Sequence, residues 1–488
     1  MIEKMLAAVL CLCLFFAFAA CQRTAKPADA EREDILPQTD TASETAENEE
    51  AAENGFEEEL SAERFDGYDF RILVRKGATD TQYADEPQED VVTDAIYKRN
   101  KAVEERYGIT ISCEEGTGAE TDTSALNAIL AGDDAYDLIF THSRSAFSYA
   151  LQGACYNVND IRTLHLDKPW WSQNIVHDCS INGRLFVLDG DISMSGLSLS
   201  MCLLFNKRIF DELGFDYPYQ TVRDGDWTFD EFAYLVKKGA KDLNGDGVMK
   251  PEDDQYGFWT TQWNAPINIL YAGGQKVYEK NEAGELELSL YSPKTVQIFD
   301  RFFNLMNNEA AFLYVTEVKV NYSGTDPFPQ GRTMMQAGSI GSAKGYRDMD
   351  DDFGILPFPK FDEDDDYSTA INGVAALMCV PITVSDPERT GAITEALAAY
   401  GHEYVLPAFY EVALKTKYAR DDDSEEMIDI IRNSSIFDVG YLCGGQYASH
   451  GRDLALMEYP DFSSWYAARE SAAKNDLKKF NKDYGGIE

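Results

Sequence analysis

The sequence predicts an α/β fold with a largely parallel sheet, and three observations support this prediction. The 488-residue chain is 44% hydrophobic and 12% aromatic, which is enough apolar surface for a folded core. Segments that alternate like strands are interleaved with segments of helical periodicity. No stretch after the N-terminal segment reaches the ~18 uncharged apolar residues that a membrane-spanning helix requires.

The body of the chain begins with a regular alternation of elements. The predicted order is a strand at 68–74, a helix at 91–107, a strand at 109–113, a helix at 124–131 and a strand at 136–140. Three strands that alternate with helices are typical of a parallel sheet, because each helix returns the chain to the same edge.

The N-terminal segment predicts export. Lys4 precedes an apolar stretch at 5–20, so residues 1–20 are interpreted as a signal peptide. The stretch ends in small residues followed by Cys21, which resembles the lipidation box of bacterial lipoproteins. We therefore expect Cys21 to anchor the protein to the outer face of the cell membrane. An ordinary secretory signal that is cleaved elsewhere remains the alternative.

Residues 21–66 predict an extended acidic linker, because they contain few large apolar residues and many carboxylates. The acidity continues through the chain, which has 85 Asp and Glu against 43 Lys and Arg and a formal net charge of −42. Such a surface repels phosphate backbones and anionic lipids. Nucleic acid is therefore excluded as a partner.

Several short motifs then follow one another in a recognisable order. They are DLIFTH at 137–142, YNVND at 156–160, INGRLFVL at 181–188, LLFNKRIF at 203–210, DWTFDEF at 226–232, FPQGRTMM at 328–335 and FGILPFP at 353–359. Together they resemble the extracellular solute-binding proteins of ABC importers. The most similar branch is the carbohydrate type (family 1), to which maltose-binding protein belongs.

This resemblance implies a two-lobed periplasmic-binding-protein-like fold of type II, with the ligand cleft between the lobes. Lobe 1 would consist of 67–196 plus 321–374, and lobe 2 of 197–320 plus 375–488. The chain would cross between the lobes near 194–200, near 320 and near 372–378.

The resemblance also implies a function. A monomeric lipoprotein would capture a sugar or oligosaccharide by hinge closure and deliver it to the permease subunits of an ABC importer. Binding of peptides or another small solute is the main alternative. A surface glycosidase or polysaccharide lyase and a calcium-dependent adhesion protein are further alternatives.

Candidate ligand contacts are the aromatic and polar side chains expected at the cleft, because saccharides offer flat apolar faces and many hydroxyls. They are Thr141, His142, Trp170, Trp259, Trp263, Asn264, Ser339 and Asn372. Core packing is the competing interpretation for the tryptophans.

An acidic loop at 242–253 matches a calcium-binding pattern, with oxygen ligands at the required spacing and Gly247 at the sharp turn. The expected ligands are Asp242, Asn244, Asp246, the carbonyl of Val248, and Asp253. The alternative is an acidic surface turn. This structural calcium is optional, and no cofactor is required by the prediction.

No catalytic motif is found. The sequence has no G-x-S-x-G elbow, no H-E-x-x-H and no phosphate-binding glycine loop, and it contains only five histidines. We therefore expect a binding protein and not an enzyme. The cysteines of the body form no C-x-x-C pair, and spacing alone does not decide whether they form disulfides.

Overall fold

The computed structural model describes residues 55–78, 81–88, 90–315, 326–346, 348–415 and 422–486. The chain divides into two units, Met1–Gly55 and Phe56–Glu488, and everything below concerns the second. The predicted signal peptide at 1–20, Cys21 and the first part of the predicted linker lie outside the described residues.

The strands are short and are distributed over most of the second unit. In chain order they are β1 (Asp69–Val74), β2 (Thr110–Glu115), β3 (Leu138–His142), β4 (Met201–Asn206), β5 (Tyr256–Thr261), β6 (Tyr278–Lys280), β7 (Leu286–Leu288), β8 (Ala311–Tyr314), β9 (Thr333–Ser339), β10 (Phe353–Leu356), β11 (Thr369–Ala370), β12 (Ala376–Cys379) and β13 (Ser435–Ile436).

Helices connect and cover these strands. They are α1 (Val91–Tyr107), α2 (Ala119–Leu130), α3 (Ser143–Leu151), α4 (Gln173–Cys179), α5 (Ser195–Ser198), α6 (Lys207–Leu213), α7 (Tyr219–Arg223), α8 (Phe229–Gly239), α9 (Ala265–Ala272), α10 (Pro293–Met306), α11 (Pro387–Tyr400), α12 (Leu406–Lys415), α13 (Asp422–Asn433), α14 (Val439–Leu442), α15 (His450–Ala455), α16 (Phe462–Ala467) and α17 (Glu470–Gly485). Shorter 3₁₀ or π turns lie at Gly55–Glu59, Val158–Asp160, Ile340–Tyr346 and Gly401–Val405.

The first sheet has the order β12-β3-β1-β2. The strands β1, β2 and β3 are parallel, and β12 runs antiparallel beside β3. The predicted strand–helix alternation over 68–140 is confirmed. Helix α1 has the predicted bounds, and its residues Ile96, Val103 and Tyr107 are fully buried.

The second sheet has the order β10-β4-β9-β5-β8. Here β5 pairs in parallel with β8 and β9, whereas β4 runs antiparallel to β9 and β10. The two sheets, each covered by helices, give the mixed α/β fold that the sequence predicts.

The distribution of strands differs from the predicted lobe boundaries. Strands β9 and β10 were expected in lobe 1 but pair with β4 in the second sheet, and β12 was expected in lobe 2 but pairs with β3. The predicted return of the chain near 320 falls within 316–325, outside the described residues. The strands on either side of it, β8 and β9, belong to the same sheet.

Two connecting segments, 195–200 and 371–375, lead between the sheets. The first precedes β4 and the second precedes β12. They run side by side, because Ser200 and Ile371 form an antiparallel bridge. Next to them β11 pairs in parallel with β13. The chain therefore changes sheets close to two of the three predicted positions.

Two helices begin within the family motifs, and their first residues are capped in different ways. The side chain of Asn206 accepts a hydrogen bond from Ile209 N at 3.1 Å and caps α6. Thr228 holds the cap position of α8 but makes no capping bond with its side chain. Instead Phe229 N donates to the carbonyl of Lys360 at 2.8 Å. Trp227, directly before this cap, is fully buried and donates to the carbonyl of Pro357 at 3.0 Å.

The end of the predicted linker is folded and not extended. Leu60 is 5% exposed, and Phe65 N donates to the carbonyl of Tyr107 at 2.8 Å. The Tyr400 hydroxyl donates to Glu57 at 2.6 Å. Residues 56–66 therefore belong to the folded unit, because their few apolar side chains find a surface to cover.

The cysteines of the described residues are free thiols, and Cys155, Cys179, Cys202 and Cys379 are buried. Within the same residues, no helix has the length and apolar character needed to cross a membrane.

Candidate functional site

The carboxyl ends of the parallel strands meet the connecting segments in both sheets. In the first sheet, His142 at the end of β3 lies opposite Ala376, which follows the segment 371–375. In the second sheet, Ser339 at the end of β9 lies opposite Met201, which follows the segment 195–200. Ligands of α/β proteins bind preferentially at this edge of a sheet. We call these two edges, together with the connecting segments, the cleft edges.

Hydrogen bonds tie the first cleft edge to the C-terminal part of the chain. The Ser143 hydroxyl, at the start of α3, lies 2.7 Å from the carbonyl oxygen of Gly373 and 3.3 Å from that of Leu442. Gly373 N donates to the Tyr441 hydroxyl at 3.0 Å. The end of β3, a connecting segment and α14 thus form one polar network.

Three predicted contacts lie at this edge. Nδ1 of His142 accepts a hydrogen bond from Arg144 N at 3.2 Å and so caps α3. Burial, together with the charges of Arg75 and Arg144, lowers the pKa of His142 to about 4, so the ring is neutral near pH 7. Thr141 is 1% exposed, and its hydroxyl has no partner in the described residues. Asn372 accepts from Val374 N at 3.1 Å within its own turn.

The second cleft edge carries the exposed aromatic side chain. Trp263 follows β5, is 43% exposed, and lies with its ring 5.1 Å from the guanidinium of Arg452. Asn264 donates to the carbonyl of Ala337 at 3.1 Å, and the Ser339 hydroxyl lies 3.1 Å from that of Ser342. Trp263 therefore exposes part of a flat aromatic side chain at this edge.

Two other predicted tryptophans lie in the core. Trp170 is 4% exposed and donates to Glu395 at 3.0 Å, beside Trp171, which donates to the same carboxylate at 2.9 Å. Trp259 is 4% exposed and stacks on Phe312 at 4.5 Å. The core interpretation is correct for both residues, because each ring already has a full set of protein contacts.

A cavity of about 300 Å³ adjoins the connecting segments. Its polar wall contains Asp191, which accepts two 2.8 Å bonds from Arg432 and lies 2.6 Å from His402. Burial and the neighbouring Asp191 raise the pKa of Asp189 to about 8. Sequence reasoning missed this group, because Asp191 and Arg432 are 241 residues apart.

The predicted calcium loop is a series of side-chain-capped turns. Asp242 accepts from Gly245 N at 2.7 Å and from Gly247 N at 2.8 Å. The ammonium of Lys250 lies 2.8 Å from Asp246, which lowers the pKa of that carboxyl. Asp254, one residue after the predicted ligand Asp253, also accepts bonds from the loop backbone, from Leu243 N at 2.9 Å and Lys250 N at 2.8 Å.

The fit of calcium to this loop is therefore partial. Several oxygens converge on one turn, but a protein cation already bonds to one of them. Among the described residues, no group of three or more His, Cys, Asp or Glu side chains has the arrangement of a metal site. Carbonyl and amide oxygens would have to complete the coordination.

Sequence reasoning also missed two arginines at the first cleft edge. Arg75 follows β1 and donates to the carbonyl of Val374, and Arg144 follows His142. Arg75 directly follows the predicted strand at 68–74, which was the available signal, whereas Arg144 lies four residues after the predicted strand at 136–140. Arginine was not among the residue types expected to contact a neutral saccharide.

The comparisons with known proteins agree with this geometry. Residues 98–400 match the family described as bacterial extracellular solute-binding protein. Because this match spans more than half of the sequence, the chain belongs to that family. A comparison with curated protein sequences finds no match.

Solved structures share the fold at low sequence identity. An ABC substrate-binding protein from Listeria monocytogenes in complex with cycloalternan is 15% identical, has a TM-score of 0.51, and the match covers 87% of this chain and 95% of that one. A solute-binding protein from Thermotoga lettingae bound with α-D-tagatose is 16% identical, has a TM-score of 0.53, and the match covers 85% and 100%. UgpB from Mycobacterium tuberculosis in complex with glycerophosphocholine is 13% identical, has a TM-score of 0.53, and the match covers 85% and 99%. These likenesses establish a two-domain periplasmic-binding-protein fold.

Proposed function

Because the chain belongs to the bacterial extracellular solute-binding proteins, we propose that it captures a sugar or oligosaccharide for an ABC importer. The observation that carries this proposal is the placement of the exposed Trp263 directly after β5, at a carboxyl edge of the second sheet. Two of the structurally similar proteins, those from Listeria and Thermotoga, contain a saccharide.

The proposed mechanism is binding followed by hinge closure. Two segments, which bridge at Ser200 and Ile371, connect the sheets, so a small rotation there would bring the two cleft edges together. A ligand that contacts both edges binds the closed state more tightly and raises its population. The permease would recognise that state. No covalent bond is made or broken in this scheme.

The tryptophan ring supplies one part of saccharide recognition. An aromatic face covers the C–H groups of a sugar ring, and hydroxyl and amide groups satisfy its hydroxyls. Trp263 provides an aromatic ring, and the guanidinium of Arg452 lies over that ring at 5.1 Å from its centroid. Asn264 and Ser339 lie at the same edge and provide polar atoms.

Two further parts of the proposal concern attachment and metal. We propose that Cys21 carries lipid and anchors the protein outside the cell, with the acidic segment before residue 56 as a spacer. Calcium at the loop of Asp242, Asn244 and Asp246 would be structural, and it would have to displace Lys250 from Asp246.

The test is a calorimetric titration of the purified protein with neutral and acidic oligosaccharides, short peptides and glycerophosphocholine. The account predicts binding of one saccharide class, with Trp263→Ala weakening it. A buried tryptophan provides a contrasting variant, because Trp170→Phe should leave affinity unchanged. Binding of peptides alone, or turnover of a saccharide during the titration, would contradict the proposal.

A further inference from the structure

Arg75 at the first cleft edge has no acidic partner. Its guanidinium donates to the carbonyl of Val374, and no carboxylate of the described residues forms an ion pair with it. It is half-buried, and this burial lowers its pKa, with Asp122 as the opposing charge. A guanidinium has five N–H donors, so most of the donors of Arg75 remain free for another acceptor.

Arg144 lies near the same place and is likewise unpaired in the part of the chain that the structure describes. Its side chain is exposed and packs beside Gly444. Both arginines lie close enough to His142 to disfavour its protonated form. The one carboxylate that acts on Arg75, that of Asp122, already accepts a 2.8 Å bond from Ser145.

This arrangement differs from that of several arginines away from the cleft edges. Arg99 and Arg332 also lack a carboxylate partner among the described residues, but each bonds to two backbone carbonyls and a side-chain amide. Other arginines form ion pairs. Examples are Arg71 with Asp134 and Asp137, Arg208 with Asp351, Arg223 with Glu426 and Arg301 with Asp230. Two unpaired guanidiniums at one strand edge form a local positive site in a negative molecule.

We infer that the captured saccharide is acidic and that Arg75 and Arg144 bind its carboxylate. This inference rests on the proposed function and names the substrate class of the same site. The arginine fork matches the geometry of a carboxylate and bonds to it in bidentate fashion. Uronic acids combine that group with the sugar face that Trp263 would cover. The negative charge of the remaining surface would then reject anions that lack such a face.

The experiment uses matched ligands that differ only in charge. The purified protein is titrated calorimetrically with trisaccharides of glucuronate, galacturonate and mannuronate, and with the methyl ester of each. Esterification keeps the sugar ring and removes the negative charge. We expect one of the acids to bind roughly ten- to a hundredfold more tightly than its ester, the range for hydrogen bonds to charged groups.

Three variants assign the effect to residues. Arg75→Gln and Arg144→Gln should each reduce the preference for the acid over its ester by about tenfold. Arg162→Gln is the control, because Arg162 is exposed and pairs with Glu388 at the surface. It removes the same charge and should keep the preference. Arg144 is exposed, so its variant should fold even if Arg75→Gln does not.

The outcomes separate this inference from the proposed function. Equal binding of acid and ester, tight binding of neutral saccharides only, or a preference that persists in both cleft variants overturns the inference and leaves saccharide capture intact. Binding of acidic peptides in place of uronates also overturns it. A protein that binds neither acidic nor neutral saccharides contradicts the proposed function itself.

Discussion

The carboxylate of Asp191 accepts hydrogen bonds of 2.8 Å on both oxygens from a single nitrogen of Arg432. Asp191 belongs to the region before the first connecting segment, and Arg432 lies in α13, which packs against β10 of the second sheet. Only 6% of the Asp191 side chain is exposed, against 31% of the Arg432 side chain. The ion pair therefore joins the regions of both sheets close to the point where the chain changes sheets.

We expect Arg432→Gln to lower the free energy of unfolding by about 2 kcal/mol, because it leaves a buried carboxylate with His402 as its remaining partner. Urea unfolding followed by circular dichroism measures the change. Arg162→Gln, which breaks an exposed pair, should change it by less than about 1 kcal/mol. Equal losses in both variants would show that the buried ion pair contributes no more to the free energy of unfolding than the exposed one.

The buried Asp189 predicts a pH dependence of stability. Its pKa is raised from 3.8 to about 8 by burial and by Asp191. A raised folded-state pKa gives stability that is fully present below the unfolded-state value and is lost as the pH rises through the folded-state value. Stability should therefore fall between about pH 4 and pH 8.

Asn does not titrate, so Asp189→Asn should remove the contribution of Asp189 to the pH dependence of stability. The free energy of unfolding of the variant, relative to that of the unmodified protein, should rise by roughly 2 to 4 kcal/mol between about pH 5 and pH 8. The reason is that one titrating proton changes the free energy of unfolding by at most ~1.4 kcal/mol per pH unit. Urea unfolding of both proteins at these two pH values measures the difference. Parallel curves for the two proteins would mean that Asp189 titrates normally.

Mutation of the exposed Trp263 and of the buried Trp170 should have different effects on stability and on binding. Trp263→Ala should change the free energy of unfolding by less than about 1 kcal/mol, because the ring is 43% exposed. It should weaken saccharide binding about tenfold, because the exposed ring is available to a ligand. Trp170→Ala should lower the free energy of unfolding by about 3 kcal/mol or more, because the ring is buried and bonds to Glu395. A large stability loss in Trp263→Ala would place that ring in the core.

Calcium should raise the unfolding temperature if the acidic loop binds it. We expect a rise of a few degrees between excess chelator and a saturating concentration of Ca²⁺, following the general linkage of binding to stability. Asp242→Asn should abolish the rise, and Lys250→Gln should enhance it by freeing Asp246. Asp364→Asn, in another acidic loop, is the control. No rise in any of these proteins would identify the loop as an acidic turn.

The sequence was sufficient for features with a local physical cause. Helix α1 follows from its apolar face, and the cap of α6 follows from Asn206. The alternation of strand-like and helix-like segments was enough to predict the α/β class. These features depend on residues near one another in the chain, which periodicity and spacing describe.

Features that depend on distant pairing were harder to predict. The sheet membership of β9 and β12 is set by their partners β4 and β3, not by their own composition. Trp259 and Trp263 are four residues apart, yet one stacks on Phe312 and the other is exposed. The local sequence determines neither difference, so it could not show which of the candidate side chains are exposed.

The most direct test of the account is small-angle X-ray scattering of the purified protein with and without the tightest-binding saccharide from the titrations. Hinge closure on a captured ligand predicts a smaller radius of gyration at saturation, and Trp263→Ala should require more ligand for the same compaction. A radius that stays constant while calorimetry shows the site to be full would contradict capture by closure.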